Sequence, residues 1–233
     1  MPDATHRALI AAMSAVPVLA GIASQEIGHL ADSGLVHRFR RGTYLCHQGD
    51  PSPEIFFLVD GRIEISSISA TGSRVLHASV DQPQFLGELG VLGDLPRSAD
   101  ILTLDDSDVW SAPGEDFIAF VTEQPSAARQ LLAALARQIQ EHQAFADDLL
   151  YLDLKGRVAK RLLQMGTSSL EDLPEPGTSV AAITHADLAS LCGGSRENVT
   201  RVLTELQRRG LVKRDGQRYV LKKPAQLAKI AGL

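Results

Sequence analysis

The sequence has little cysteine: two residues in 233, Cys46 and Cys192. Two thiols exclude a disulfide scaffold and are too few for an all-cysteine iron–sulfur cluster within one chain. They suit a reducing cytoplasm. Long apolar runs are also missing. The longest are short and interrupted, so no membrane span is expected. The N-terminus "MPDATHRALIAAMSAVPVLAG" lacks a basic leading segment and carries Asp3, His6 and Arg7, so a helix is expected there and not a signal peptide. No spacing of His, Cys, Asp or Glu suits a metal. No nucleophile, base and orienting group stand together either. His142, His185 and Cys192 with nearby carboxylates come nearest to a catalytic set, and neither metal binding nor catalysis is expected.

Hydrophobic residues make up 44% and charged residues 22%, enough to build the core of one or two domains. The net charge of −5 conceals an asymmetry. Residues 153–233 hold 14 Lys and Arg against 8 Asp and Glu, a net +6; residues 1–152 hold 9 against 20, a net −11. A basic C-terminal third on an acidic chain suggests that this end meets a polyanion.

Residues 37–121 read as short strands separated by turns. In "EIFFLVDGRIEISSIS" the pair Asp60-Gly61 lies between two β-rich runs, a hairpin signal. "ADILTLDDSDVW" adds two strands broken at "DDSD". Close strands with turn chemistry between them predict a small antiparallel barrel or jelly roll. Within it, "GELGVLGDLPRSA" (87–99) sets glycines, one acid and an Arg-Ser pair side by side. A guanidinium and a hydroxyl suit phosphate oxygens, and glycines let backbone amides approach an anion closely. An internal ion pair between Glu88 and Arg97 is the structural alternative.

From Ala128 the period changes. Ala128, Leu132, Leu135, Ile139, His142, Ala146 and Leu149 step by alternating fours and threes, a heptad seam that predicts a coiled coil and hence a homodimer. An amphipathic helix packed on its own barrel is the alternative. Further on, "THADLASLCGGSRENVTRVLTELQRRGLVKRDGQRYVLKK" reads helix, turn, helix, hairpin. Thr184 and Asp187 make a capping-box-like start, Ser195 suits an N-cap, Gly210 a helix C′ position, and Asp215-Gly216 a hairpin. This is a winged helix-turn-helix pattern. Arg196, Glu197 and Arg201 fall on the exposed side of the second helix, opposite Val199, Val202, Leu203 and Leu206. Arg pairs with guanine and Glu accepts from cytosine, so these three are placed to read bases. Ser195, Thr200, Lys213, Arg214 and Arg218 are placed for phosphates of double-stranded DNA. A solvated helix face with charge pairs is the alternative.

"FLGELGVLGDLPRSA", "YLDLKGRVAKRLL" and "LASLCGGSRENVTRVL", in this order and spacing, resemble the cyclic-AMP receptor protein/FNR (Crp/Fnr) superfamily of bacterial transcription regulators over almost the whole chain. The resemblance implies an α+β chain in three parts: a cyclic-nucleotide-binding β-roll over 1–125, a dimerisation helix over 126–152 and a winged helix-turn-helix over 153–233. It implies that Glu88 holds the ribose 2′-hydroxyl, and that Arg97 and Ser98 hold the cyclic phosphate with backbone N–H groups from Gly87 to Leu89. His142 and Gln143 match the family's base-binding pair on the dimer helix. They are not the usual Thr and Ser, so cyclic AMP is the default ligand and cyclic GMP, cyclic di-GMP or none are alternatives. His142 is equally a polar seam residue or a packed histidine. Arg196, Glu197 and Arg201 match the base-reading trio, which implies a TGTGA-like palindrome. Thr184 would contact phosphate, and His185 stands where the prototype has an arginine, which implies a weaker contact with the DNA backbone there. Cys46 and Cys192 read as small buried residues in a strand and a helix, and FNR-type cluster cysteines are absent. RNA polymerase is an implied partner; the acidic loop 171–175 is a candidate contact for it, with a plain solvated loop as the alternative. A regulator competent without nucleotide, and a sensor acting through another protein, are the remaining alternatives.

Overall fold

In the computed structural model residues 3–69, 72, 74–167 and 172–233 are described. The chain divides into two compact units, Met1–Ile139 and Gln140–Leu233.

The first unit opens with helix α1 (Asp3–Ser14), a 3-10 turn (Pro17–Leu19) and α2 (Ser24–Asp32). Eight strands follow: β1 (Leu35–Phe39), β2 (Tyr44–Cys46), β3 (Glu54–Asp60), β4 (Ile63–Ile68), β5 (Arg74–Val80), β6 (Gln84–Leu86), β7 (Asp100–Thr103) and β8 (Ser107–Pro113). They form two antiparallel four-stranded sheets, ordered β1-β8-β3-β6 and β2-β7-β4-β5. Alternation along β3 explains the layering. Ile55 and Phe57 enter a core shared with the helices, while Phe56 and Leu58 face the second sheet. The neighbouring β8 divides the same way: Trp110 pairs with Phe57 and joins the helical core, and Val109 pairs with Leu58 and faces inward between the sheets. Each fully buried side chain of this kind contributes about 1.5–3 kcal/mol by leaving water. Trp110 Nε1 donates to the Ala31 carbonyl at 3.1 Å and ties α2 to the sheet.

The Asp60-Gly61 hairpin expected from the sequence is not formed. The turn is made, with Gly61 at φ 111°, but β3 pairs with β6 and β8 while β4 pairs with β5 and β7. The turn carries the chain from one sheet to the other, because Phe56 and Leu58 are buried only if Ile63 and Ile101 lie across from them. Strands also do not fill the whole expected stretch. α3 (Glu88–Gly93) interrupts them, and they end at Pro113, where α4 (Gly114–Glu123) begins.

Helix α5 (Pro125–Tyr151) crosses the division between the units. Its first turns bury Ala127 and Leu131 in the first unit. After two residues α6 (Leu154–Gln164) starts, with Asp153 as N-cap accepting from the Gly156 N–H at 2.7 Å. The second unit continues with α7 (His185–Leu191), α8 (Arg196–Arg208), a hairpin of β9 (Val212–Asp215) and β10 (Arg218–Leu221), and α9 (Pro224–Ile230). Val158, Leu162, Leu188, Val199, Leu203 and Tyr219 are among its fully enclosed core residues. Cys46 is buried in β2 as expected; Cys192 is buried too, but at the C-cap of α7 and not within the helix. Of the acidic loop 171–175, Glu171 lies outside the described residues; Asp172 and Glu175 are exposed.

Candidate functional site

In the first unit the site is the turn around α3. Gly87 is the N-cap at φ 80°, a left-handed conformation that favours glycine, and Asp94 closes the helix at φ 49°. Arg97 folds back beneath this turn. Its Nη1 donates to the Gly87 carbonyl at 3.1 Å and its Nη2 to the Glu54 carbonyl at 2.5 Å. The guanidinium carbon stands 4.8 Å from the centre of the Phe56 ring, and only 4% of the residue is exposed. A β-carbon at Gly87 would occupy the position of Arg97 Nη1. Ser98 and Leu89 are exposed, so Ser98 is available to a ligand from solvent.

Glu88 is half-buried. Burial pushes its carboxyl above the ordinary carboxylate value, while a backbone hydrogen bond and then the Arg97 charge pull it down. The Glu88–Arg97 ion pair is not made among the described residues; the two donated hydrogen bonds of Arg97 go to backbone carbonyls. Glu88 instead opens on a cavity of about 240 Å³ walled by Val16, Phe85, Phe117 and Leu131, with Arg137 and Gln138 of α5 at its edge.

A cyclic phosphate is a fair test of this cradle. Among the described residues, two buried side-chain polar atoms have no hydrogen-bond partner: Arg97 Nε and Ser52 Oγ. Both border the α3 turn, since Ser52 Oγ abuts Gly90. Each can donate, and buried donors without acceptors are costly. An anion with several acceptor oxygens fits them. Ser52 carried no motif that would have marked it in the sequence.

His142 and Gln143 lie on α5 within the second unit, both exposed. So are the seam residues Leu132, Ile139 and Leu149, at 67%, 58% and 45%.

In the second unit the expected caps are present. Thr184 Oγ1 accepts from the Asp187 N–H at 3.1 Å and donates to its carboxylate at 2.7 Å; Ser195 Oγ accepts from the Asn198 N–H at 3.2 Å. Val199, Leu203 and Leu206 are buried, which turns Arg196, Glu197 and Arg201 outward. Lys213, Arg214 and Arg218 are exposed on the hairpin. Thr200 was expected at a phosphate and His185 at the DNA backbone; the polar atoms of both have partners inside the domain. His185 Nδ1 lies 2.8 Å from Thr200 Oγ1 and Nε2 lies 2.8 Å from the Tyr219 hydroxyl. Thr200 Oγ1 also donates to the Arg196 carbonyl at 2.8 Å.

A second feature escaped sequence reasoning. Arg157 donates to Leu152, in the link before α6, and to Cys192 and Gly193 in the turn between α7 and α8. Gly193 sits at φ 59° against Leu149, whose Cδ2 would stand 2.9 Å from a β-carbon there. An arginine inside an amphipathic helix gives no sign of carbonyl partners 35 residues away.

A β-roll with a glycine-framed, donor-lined turn and a winged helix-turn-helix with an outward basic face define a class: DNA-binding transcription regulators that carry a cyclic-nucleotide-binding domain. Residues 36–124 match the family described as cyclic nucleotide-binding domain, and residues 156–230 match the Crp-like helix-turn-helix domain. The chain belongs to the Crp/Fnr superfamily. It is 29% identical over 220 residues to the cyclic AMP receptor protein of Thermus thermophilus, covering 94% of this chain and 98% of that protein. It is 25% identical over 193 residues to a CRP-like cAMP-activated global transcriptional regulator of Mycobacterium tuberculosis, covering 83% and 86%. The crystal structure of the Thermus thermophilus catabolite activator protein aligns with a TM-score of 0.55 at 27% identity, covering 93% and 99%.

Proposed function

We propose that the protein is a cytoplasmic, homodimeric transcription regulator controlled by a cyclic nucleotide, with cyclic AMP as the default. It binds a TGTGA-like palindrome and acts with RNA polymerase. Glu88 takes the ribose 2′-hydroxyl, and Arg97 and Ser98 take the phosphate with backbone N–H groups from Gly87 to Leu89. His142 and Gln143 are the base contacts. Arg196, Glu197 and Arg201 read bases, with Thr184, Ser195 and Lys213 at phosphates.

The observation that carries the sensor half is the buried Arg97 with its unpartnered Nε beneath the Gly87 turn. The exposed part of the α5 seam supports the dimer, since Leu132 and Ile139 repeat at heptad spacing and face water while Ala128 and Leu135 of the same seam pack on the core of the first unit. Two recognition helices related by a dimer axis then meet half-sites about one DNA turn apart. Ligand must favour the DNA-competent state, and DNA must in return tighten ligand.

Calorimetric titration of the purified protein with cyclic AMP, cyclic GMP and cyclic di-GMP, repeated with Arg97→Ala, tests the sensor half. Binding of one nucleotide that is lost in the variant is the expected result. No heat, with no thermal shift either, would leave the cassette a structural element. A second reading has one observation in its favour. Arg97 already has two backbone acceptors and a ring beneath it, as a purely structural arginine would. In that reading the regulator binds DNA without nucleotide, and the gel shift with a TGTGA palindrome is unchanged by any of the three ligands.

A further inference from the structure

The histidine that opens α7 has both ring nitrogens occupied within the domain. It stands between two elements that DNA must meet in a fixed relation: α8, through Thr200, and the hairpin, through Tyr219 of β10. We propose that His185 is a positioning residue for DNA recognition, a strut that sets the recognition helix against the wing through Thr200 and Tyr219, and not a phosphate ligand.

The hydrogen bonds place one hydrogen of the ring on Nδ1. The Thr200 hydroxyl has one proton, and it lies toward the Arg196 carbonyl at 2.8 Å. Its oxygen therefore accepts from His185, so Nδ1 carries the hydrogen. The Tyr219 hydroxyl can donate to Nε2 or accept from it, so Nε2 accepts in the neutral ring and donates in the charged one. The neutral and the charged ring both keep the three contacts, and in the neutral one the Tyr219 hydroxyl proton finds its acceptor in Nε2. The surroundings favour the neutral state. Burial pushes the imidazole below its ordinary value of 6.5, and the Arg214 cation on β9 and the Arg196 cation on α8 push it the same way.

The chain Tyr219, His185, Thr200, Arg196 ends on the backbone of a base-reading candidate. Tyr219 is 1% exposed, so its hydroxyl is out of reach of any phosphate. Its partner His185 is held with a ring-to-ring distance of 6.4 Å. A displaced ring would free α8 to rotate against β9 and β10. Base contacts depend on that angle, whereas diffuse attraction to phosphates does not.

The test uses the full chain and the duplex that the parent protein itself selects from a randomised pool with cyclic AMP, cyclic GMP and cyclic di-GMP all present, so it does not depend on the palindrome or on which nucleotide, if any, is bound. His185→Phe, Tyr219→Phe and the double variant are titrated against that duplex and a scrambled one over a range of salt. Each single variant should lose roughly ten-fold in affinity for the selected duplex, the order expected for unmade buried hydrogen bonds. Scrambled-duplex affinity and salt slope should be unchanged, and the double variant should lose no more than either single one. Nitrogen chemical shifts of His185 in the parent should report the Nδ1–H tautomer. A salt slope that falls by about one in His185→Phe but not in Tyr219→Phe would make His185 a phosphate ligand and overturn the proposal. Lower melting temperatures with unchanged discrimination, or an Nε2–H tautomer, would overturn it too.

Discussion

Arg157 holds Cys192 by its backbone: Nε of the one donates to the carbonyl of the other at 2.7 Å across 35 residues of sequence. The same guanidinium reaches the Leu152 carbonyl at 2.7 Å, so a single side chain joins the link before α6 to the turn that sets α8. Removing it leaves part-buried carbonyls without donors. Arg157→Ala should lower the stability of the C-terminal unit by about 2–3 kcal/mol in urea unfolding. Arg157→Lys should recover only a fraction, because one ammonium cannot reproduce the planar fork that meets three carbonyls. Equal stability of all three proteins would show that water replaces the guanidinium without cost.

Gly87 and Gly42 have nearly the same left-handed backbone, φ 80° and 79°, in different surroundings. Around Gly42 there is open space, whereas a β-carbon at Gly87 meets Arg97 Nη1. Alanine at either position incurs the strain of a positive φ, about 1 kcal/mol. Gly87→Ala must in addition displace a guanidinium that is bonded to two carbonyls. Thermal unfolding should therefore rank Gly87→Ala clearly below Gly42→Ala. Equal melting temperatures would mean that Arg97 moves aside freely and that the buried geometry is not rigid.

What was legible in the sequence followed the range of the interaction. The caps at Thr184 and Ser195 and the hairpin at Asp215-Gly216 are settled within three or four residues; the caps form as read, and the hairpin forms with Gly216 and Gln217 as its turn. Asp60-Gly61 carries the same local signal, but β3 takes β6 and β8 as its partners, strands that come later in the chain than β4 and β5, where local chemistry does not reach. The same reason hides His185. As a residue type it suits a phosphate, and only the fold brings Tyr219 to it from 34 residues away. Arg97 was legible as a candidate from "PRSA", yet its burial over Phe56 was not.

The two faces of α5 make opposite predictions. Leu131 is buried in the core of the first unit, and Leu132, its neighbour in sequence, is 67% exposed. Ile139, one full heptad after Leu132, is 58% exposed. Ile139→Asp should convert a dimer to a monomer in sedimentation while leaving the melting of each unit near its original value, because it removes only an interhelical contact. Leu131→Ala should do the reverse, costing about 2–5 kcal/mol of fold stability and leaving the association state unchanged. If Ile139→Asp sediments as the parent does, the seam is not the surface through which copies meet.

Cys192 links pH to the stability of the second unit. Only 1% of it is exposed, and burial pushes its thiol from the ordinary 9.0 up to about 11, with Arg161 and Arg157 opposing weakly. The folded state therefore holds the proton more tightly than the unfolded chain. Its contribution is fully present below pH 9 and is lost as pH rises from about 9 to 11, to a total of about 3 kcal/mol. Cys192→Ala removes the ionisable group and keeps a small apolar side chain in the same pocket, so its stability should fall less steeply over that interval. At pH 8 only about one thiol in a thousand is ionised in the fold, so a thiol reagent should modify Cys192 at the rate of local opening and not of chemistry. Urea unfolding at a series of pH values from 7 to 11, for the parent and Cys192→Ala, measures the difference. Parallel curves would mean that the thiol ionises in the fold as easily as in the unfolded chain, which a side chain enclosed in the core of the second unit should not allow.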